Sequence, residues 1–134
     1  MADSVRIVLL DKTFTRVLVV SEKPPDDPTE FKLPGGKIDQ NETPLAAAHR
    51  EFAEELGSQA ADAATLTFAG QLTNDDGTSA RYIFVANNVP PETIAPGPDI
   101  AAIKWIDKHS IPPNWKNHGH ITSAIKQSLN RQPR

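Results

Sequence analysis

From Gly36 to Ser58 the chain runs GKIDQNETPLAAAHREFAEELGS, and the reading of this stretch decides the fold. Thr43 suits a helix N-cap, Pro44 suits the first helical position because its missing N–H would be unpaired there anyway, and Gly57 can supply a left-handed stop. The stretch therefore predicts a helix starting after Glu42 and ending at Gly57. At 100° per residue Leu45, Phe52 and Leu56 fall within about 40° of one another, a narrow apolar stripe for a core. Glu51, Glu54 and Glu55 stand at i, i+3 and i+4, so three carboxylates share one turn on what should be the opposite side.

An acidic helix face is ordinarily just solvated, since Glu is a good helix former. Like charges at these spacings nevertheless cost a few tenths of a kcal/mol per pair, and hard divalent cations bind through carboxylate oxygens. Immediately upstream lies Leu33-Pro34-Gly35-Gly36-Lys37, where two glycines allow a close backbone approach to a metal or phosphate. Loop and helix together make one candidate site.

Outward from it, Val5 to Leu10 and Arg16 to Ser21 read as two strands, with Asp11 to Thr15 suited to a hairpin connection. The proline-rich stretch from Ser21 to Lys32 reads as a surface loop able to cover a site. Leu66 to Thr73 and Ala80 to Ala86 are strand-like and joined through Asp76-Gly77, a turn signal. Ile103 to Ile106 makes a further strand, and Ile121, Ile125 and Leu129 mark an amphipathic helix over 120–130. The 134 residues suit a single domain, 1–134.

Composition narrows the function. With 38% hydrophobic and 23% charged residues the chain sits near the globular norm, and no apolar run approaches the ~20 residues of a membrane span. No basic segment followed by an apolar stretch marks the start as a signal peptide, so the cytoplasm is the expected compartment. The absence of cysteine excludes disulfides and thiolate metal sites. A net charge of -3 argues against a nucleic-acid duplex or an anionic membrane as partner, so any phosphate-bearing ligand must be held locally.

At these residues the sequence resembles the Nudix hydrolase family, whose box reads G-x5-E-x7-R-E-U-x-E-E-x-G-U with U bulky and apolar. Gly36, Glu42, Arg50, Glu51, Glu54, Glu55 and Gly57 supply every fixed letter at the required spacing. Phe52 is an aromatic version of one bulky position, and Ser58 replaces the closing apolar residue. The Leu-Pro-Gly-Gly approach, the flanking strands and a Trp105 strand extend the resemblance to roughly residues 5–130. It implies an α/β fold, an α/β/α sandwich around a mixed sheet.

The resemblance also implies roles. The glutamates Glu51, Glu54 and Glu55, with the carbonyl of Gly35, would hold Mg²⁺ or Mn²⁺, and Arg50 and Glu42 would support them from behind. Any of the three glutamates is a candidate for the catalytic base. Many members add to this metal set an acidic residue six positions before a tryptophan; counting back from Trp105 gives Asp99 as a further metal ligand, which as a turn residue also has an ordinary explanation. Lys23 matches a position that places a cation against substrate phosphates in MutT-like members. Arg81 and Tyr82 point to opposite faces of a strand, so at most one should meet ligand. Trp115 and Asn117 suit stacking on and hydrogen bonding to a base, or core packing. His118 and His120 read as the start of a helix, having no third partner for a metal.

The expected activity is Mg²⁺-dependent cleavage of a diphosphate linkage, foremost a nucleoside triphosphate to the monophosphate and pyrophosphate. Dinucleoside polyphosphates, nucleotide sugars, RNA 5′ ends and inositol pyrophosphates stay open as substrates, and a nucleotide-binding module without catalysis stays open as a different class. The partner is a small molecule, and the protein itself a monomer or homodimer.

Overall fold

The computed structural model describes residues 3–22, 29–74 and 76–131. Strands β1 (Ser4–Leu9) and β2 (Arg16–Ser21) are followed by a short β3 (Gly35–Lys37) and by helices α1 (Pro44–Leu56) and α2 (Ser58–Ala63). Strands β4 (Thr65–Thr73), β5 (Ala80–Asn87) and β6 (Ala102–Asp107) precede helix α3 (His118–Arg131). The main sheet has the order β3-β1-β5-β4, with β1 parallel to β5 and the other pairs antiparallel. A second sheet pairs β2 with β6. No described helix is long and apolar enough to cross a membrane.

The expected hairpin between the first two strands is reduced to its turn. Leu10 bridges Val17 and the Asp11 N–H donates to the Arg16 carbonyl at 3.0 Å, but the pairing goes no further. A strand has two edges, and both edges of β1 are taken by β3 and β5, so β2 finds its partner in β6.

Alternation along β1 and β5 sorts the core into two layers. Val5, Ile7, Leu9, Phe84 and Ala86 pack with Phe52 and Leu56 of α1 and with α2. Val8, Leu10, Ile83 and Val85 pack with Ile121, Ala124 and Ile125 of α3. Helices thus cover both faces of a mixed sheet, the α/β/α arrangement expected.

Helix α1 is capped as its sequence predicts. The Thr43 Oγ1 accepts the Ala46 N–H at 3.1 Å, and the Gly57 N–H donates to the Ala53 carbonyl at 3.0 Å with φ at 98°. The core stripe is different in one place: Leu45 is 52% exposed, while Ala47 and Ala48 are buried with Phe52 and Leu56. Leu45 sits in the first turn, where helical side chains lean back past the helix start. The alanines instead let the helix lie close to the sheet. Helix α2, short and alanine-rich, begins directly after Gly57 and had no clear signal in the sequence.

Candidate active site

The glutamates of α1 do not lie opposite the core. Glu55 is 6% exposed, and the side chains of Glu51 and Glu54 are 13% and 58% exposed, so only Glu54 stands in solvent. On a helix Glu55 lies only about 60° from Phe52, so it borders the buried stripe.

Strand β3 makes room for these carboxylates. The Gly35 N–H donates to Glu55 Oε1 at 3.3 Å, and a Cβ placed on Gly36 would stand 2.6 Å from Glu51 Oε1. The Glu51 carboxylate therefore occupies the space that a side chain at position 36 would fill. Gly35 is needed for a different approach: its φ is +147° and a Cβ there would meet the Val5 carbonyl oxygen at 2.1 Å. Burial pushes Glu55 up to about 8, and a hydrogen bond with Glu51 adds to the rise, while the Gly35 N–H and Lys32 pull the other way.

Arg50 organises the outer side. Its Nε and Nη2 donate to the two oxygens of Glu42 at 2.8 and 3.0 Å, and Nη2 also donates to the Lys37 carbonyl at 3.0 Å. Its Nη1 donates to Glu51 Oε1 at 2.9 Å and to Glu54 Oε1 at 3.3 Å. The pair reinforces itself: hydrogen bonding to Glu42 and Glu51 raises the pKa of Arg50, and Arg50 holds Glu42 below the usual carboxylate range. One guanidinium thus ties the β3 loop, the start of α1 and two of its glutamates.

The far end of α1 is fixed by residues 95–97. The Ala95 N–H donates to the Leu56 carbonyl at 2.8 Å and the Gly97 N–H to the Glu55 carbonyl at 3.0 Å. A Cβ on Gly97 would stand 1.9 Å from the Glu54 carbonyl oxygen, so only glycine permits this contact. Asp99 follows in the turn closed by the Ile100 N–H on the Gly97 carbonyl at 3.1 Å. It is exposed and shares a groove with Glu22, which also borders the cleft of Glu51 and Glu55. The structure thus brings Asp99 near the carboxylates without joining it to them.

That cleft, of about 550 Å³, is lined by Glu22, Glu51 and Glu55, by Gly35 and Gly36, and by Arg6, Lys32, Lys37 and Arg81. Arg81 faces it, whereas Tyr82 turns to the opposite layer and packs near Phe68, ring centroids 6.4 Å apart. Trp115 and Asn117 lie elsewhere. Trp115 is 8% exposed and stacks on Phe31 at 5.1 Å in the α3 layer, and the Asn117 Nδ2 donates to the Phe31 carbonyl at 3.0 Å. His118 and His120 line different grooves. Lys23 lies outside the described residues. Arg6, Lys32 and Glu22 escaped the sequence reading; an arginine interrupting the apolar run Val5 to Leu10 was the signal for the first.

The donor set suits a hard cation. Two carboxylates are crowded enough to share a hydrogen bond, and they converge beside a glycine backbone with no side chain in the way. Among the described residues no group of three or more His, Asp or Glu stands ready-made for a metal, because Glu54 is drawn aside to Arg50.

Fold and box together define a class, and comparison with known proteins agrees. The family model for the NUDIX domain matches residues 1–125, and the chain belongs to that family. It is 27% identical over 106 residues, 79% of its length, to a Bacillus subtilis (strain 168) protein provisionally named 8-oxo-dGTP diphosphatase, and spans 66% of that relative. The fold is similar to that of Escherichia coli dihydroneopterin triphosphate pyrophosphohydrolase, with a TM-score of 0.70 and 22% identity over 95% of this chain and 94% of that one. A Caenorhabditis elegans Ap4A hydrolase gives the same TM-score with 16% identity over 96% of each chain.

Proposed function

We propose that the chain is a divalent-cation-dependent pyrophosphohydrolase that cleaves a nucleoside triphosphate to the monophosphate and pyrophosphate. The observation that carries this reading is the convergence of Glu51 and Glu55 beside Gly35 and Gly36, Glu51 held by Arg50, in a cleft that Arg6 and Arg81 also line. Carboxylates and arginines in one cleft suit a ligand that is a metal–polyphosphate complex. The names of the B. subtilis relative and the E. coli structure, both referring to triphosphates, favour that substrate over other diphosphates.

Glu51 and Glu55, with Glu54 after release from Arg50 and with the Gly35 carbonyl, would hold Mg²⁺ or Mn²⁺. Such a cation would neutralise phosphate charge and acidify a coordinated water. The chain's own contribution is positional. Arg50 holds Glu51 through its Oε1, leaving the other carboxylate oxygen uncommitted to Arg50, and the Gly35 N–H orients Glu55. Water attacks one of the two phosphorus atoms of the α–β bridge, the bond from that phosphorus to the bridging oxygen breaks, the other half of the substrate leaves with the oxygen, and one of these carboxylates takes the proton from the water. Asp99, from the Gly97 turn, is the candidate to position that water.

A substrate panel tests the reading. Nucleoside triphosphates, dinucleoside polyphosphates, nucleotide sugars, capped RNA and inositol pyrophosphates are incubated with Mg²⁺ or Mn²⁺ and the phosphate products identified. Turnover of a nucleoside triphosphate above the others supports it. Binding without turnover of any panel member makes the chain a nucleotide-binding module instead.

A further inference from the structure

Arg6 and Arg81 project from the neighbouring parallel strands β1 and β5. Ser4 pairs with Arg81 and Arg6 with Ile83, so the two arginines are diagonal neighbours on one face of the sheet. Side-by-side guanidiniums repel, and among the described residues no carboxylate forms a close ion pair with either; Glu55, Glu22 and Glu51 offset the charge of Arg6 only from beyond that distance. Arg6 spends one donor on the Leu33 carbonyl, from Nη1 at 3.1 Å. Among the described residues the buried Nε of Arg81 has no hydrogen-bond partner. Buried N–H donors are ordinarily paired because leaving one unpaired forfeits its hydration, so this one calls for an acceptor from outside.

Their position says which acceptor. Ser4, Ser79 and Arg81 line both the cleft of Glu51 and Glu55 and a second one of about 400 Å³, which continues past Leu72 and Asn74 to His120. Arg81 stands where the two clefts meet, and Arg6 lines the first beside it. His120 feels them: burial, then Arg81 and Arg6, hold its imidazole below the ordinary histidine value.

We propose that Arg6 and Arg81 form an anion subsite for the phosphate groups that are not attacked, so that the substrate lies across the sheet with its reacting phosphate at Glu51 and Glu55 and its remaining part toward Leu72, Asn74 and His120. This orientation rests on the pyrophosphohydrolase reading; the anion subsite itself does not. Guanidinium forks match phosphate oxygens in pairs, and phosphate is the ligand that satisfies both a free Nε and two adjacent cations.

Inorganic pyrophosphate is titrated calorimetrically into the full chain in EDTA, with no divalent cation, for wild type, Arg81→Gln and Arg81→Lys. The same titrations are followed by the NMR signal of His120. The subsite predicts that wild type binds pyrophosphate, that Arg81→Gln weakens binding at least tenfold, that Arg81→Lys recovers part of the loss, and that pyrophosphate raises the His120 pKa in wild type. On the best nucleoside triphosphate, Arg81→Gln should raise KM at least tenfold and change kcat less than threefold. Equal pyrophosphate affinity in wild type and Arg81→Gln, or no binding by wild type, overturns the subsite even if triphosphates are hydrolysed. Pyrophosphate binding that depends on Arg81 in a protein that hydrolyses nothing upholds the subsite and removes the hydrolase reading.

Discussion

Arg50 grips Glu42 through two parallel hydrogen bonds, 2.8 and 3.0 Å long, across the first two turns of α1. The same guanidinium reaches Glu51, so the loop before the helix and the carboxylate in the cleft move as one unit.

Lysine cannot reproduce that fork. Arg50→Lys should lower kcat at least tenfold while far-UV circular dichroism stays native. Losing the charge-assisted bonds should cost about 1–2 kcal/mol, or roughly 3–8 °C in melting midpoint. An unchanged kcat would mean that the position of Glu51 does not depend on Arg50.

Glu51→Gln and Glu55→Gln should fold normally and lose most of the activity. Both also report on the metal. At about a hundred times Kd a cation that binds only the folded site stabilises it by about 2.7 kcal/mol. Mn²⁺ or Mg²⁺ should therefore raise the wild-type midpoint beyond a sodium control at matched ionic strength, and the Glu51→Gln/Glu55→Gln double variant should lose that excess.

The two glycines of β3 should fail differently. The nearest atoms to a Cβ at position 36 are those of the Glu51 carboxylate, a movable group, so Gly36→Ala should displace Glu51 and cut activity at least tenfold with little loss of stability. A Cβ at position 35 meets the backbone of Val5 and adds positive-φ strain, so Gly35→Ala should lower the midpoint by several degrees. Thermal melts and turnover on the same two proteins check the contrast.

Asp99→Asn should lower kcat far more than it raises KM, because a residue that positions attacking water acts chiefly in the transition state. Steady-state kinetics showing both parameters unchanged would leave Asp99 as a turn residue only.

What the sequence displayed most clearly was what local chemistry controls. Thr43, Pro44 and Gly57 mark the ends of α1 because caps act on adjacent backbone, and alternation placed Arg81 and Tyr82 on opposite faces. What it concealed was tertiary. The fate of β2 depended on which strands claimed the edges of β1, a matter of partners distant in the chain. Leu45, expected in the core stripe, is exposed, and Ala47 and Ala48 are buried instead because close approach to the sheet favours small side chains. Among the site residues, the box letters showed themselves by spacing. Arg6 did not, since a cation in an apolar strand acquires meaning only beside Arg81 from another strand. Trp115, legible either as a base-stacking or as a core residue, packs in the core on Phe31.

The most direct test of the central claim follows the products of a nucleoside triphosphate by ³¹P NMR, with wild type and Glu55→Gln, each with Mg²⁺ and with EDTA. Wild type with Mg²⁺ should yield monophosphate and pyrophosphate, and neither should form from wild type in EDTA nor, beyond a few per cent, from Glu55→Gln. Release of orthophosphate as the primary product, turnover in EDTA, or Glu55→Gln working within threefold of wild type would contradict that claim.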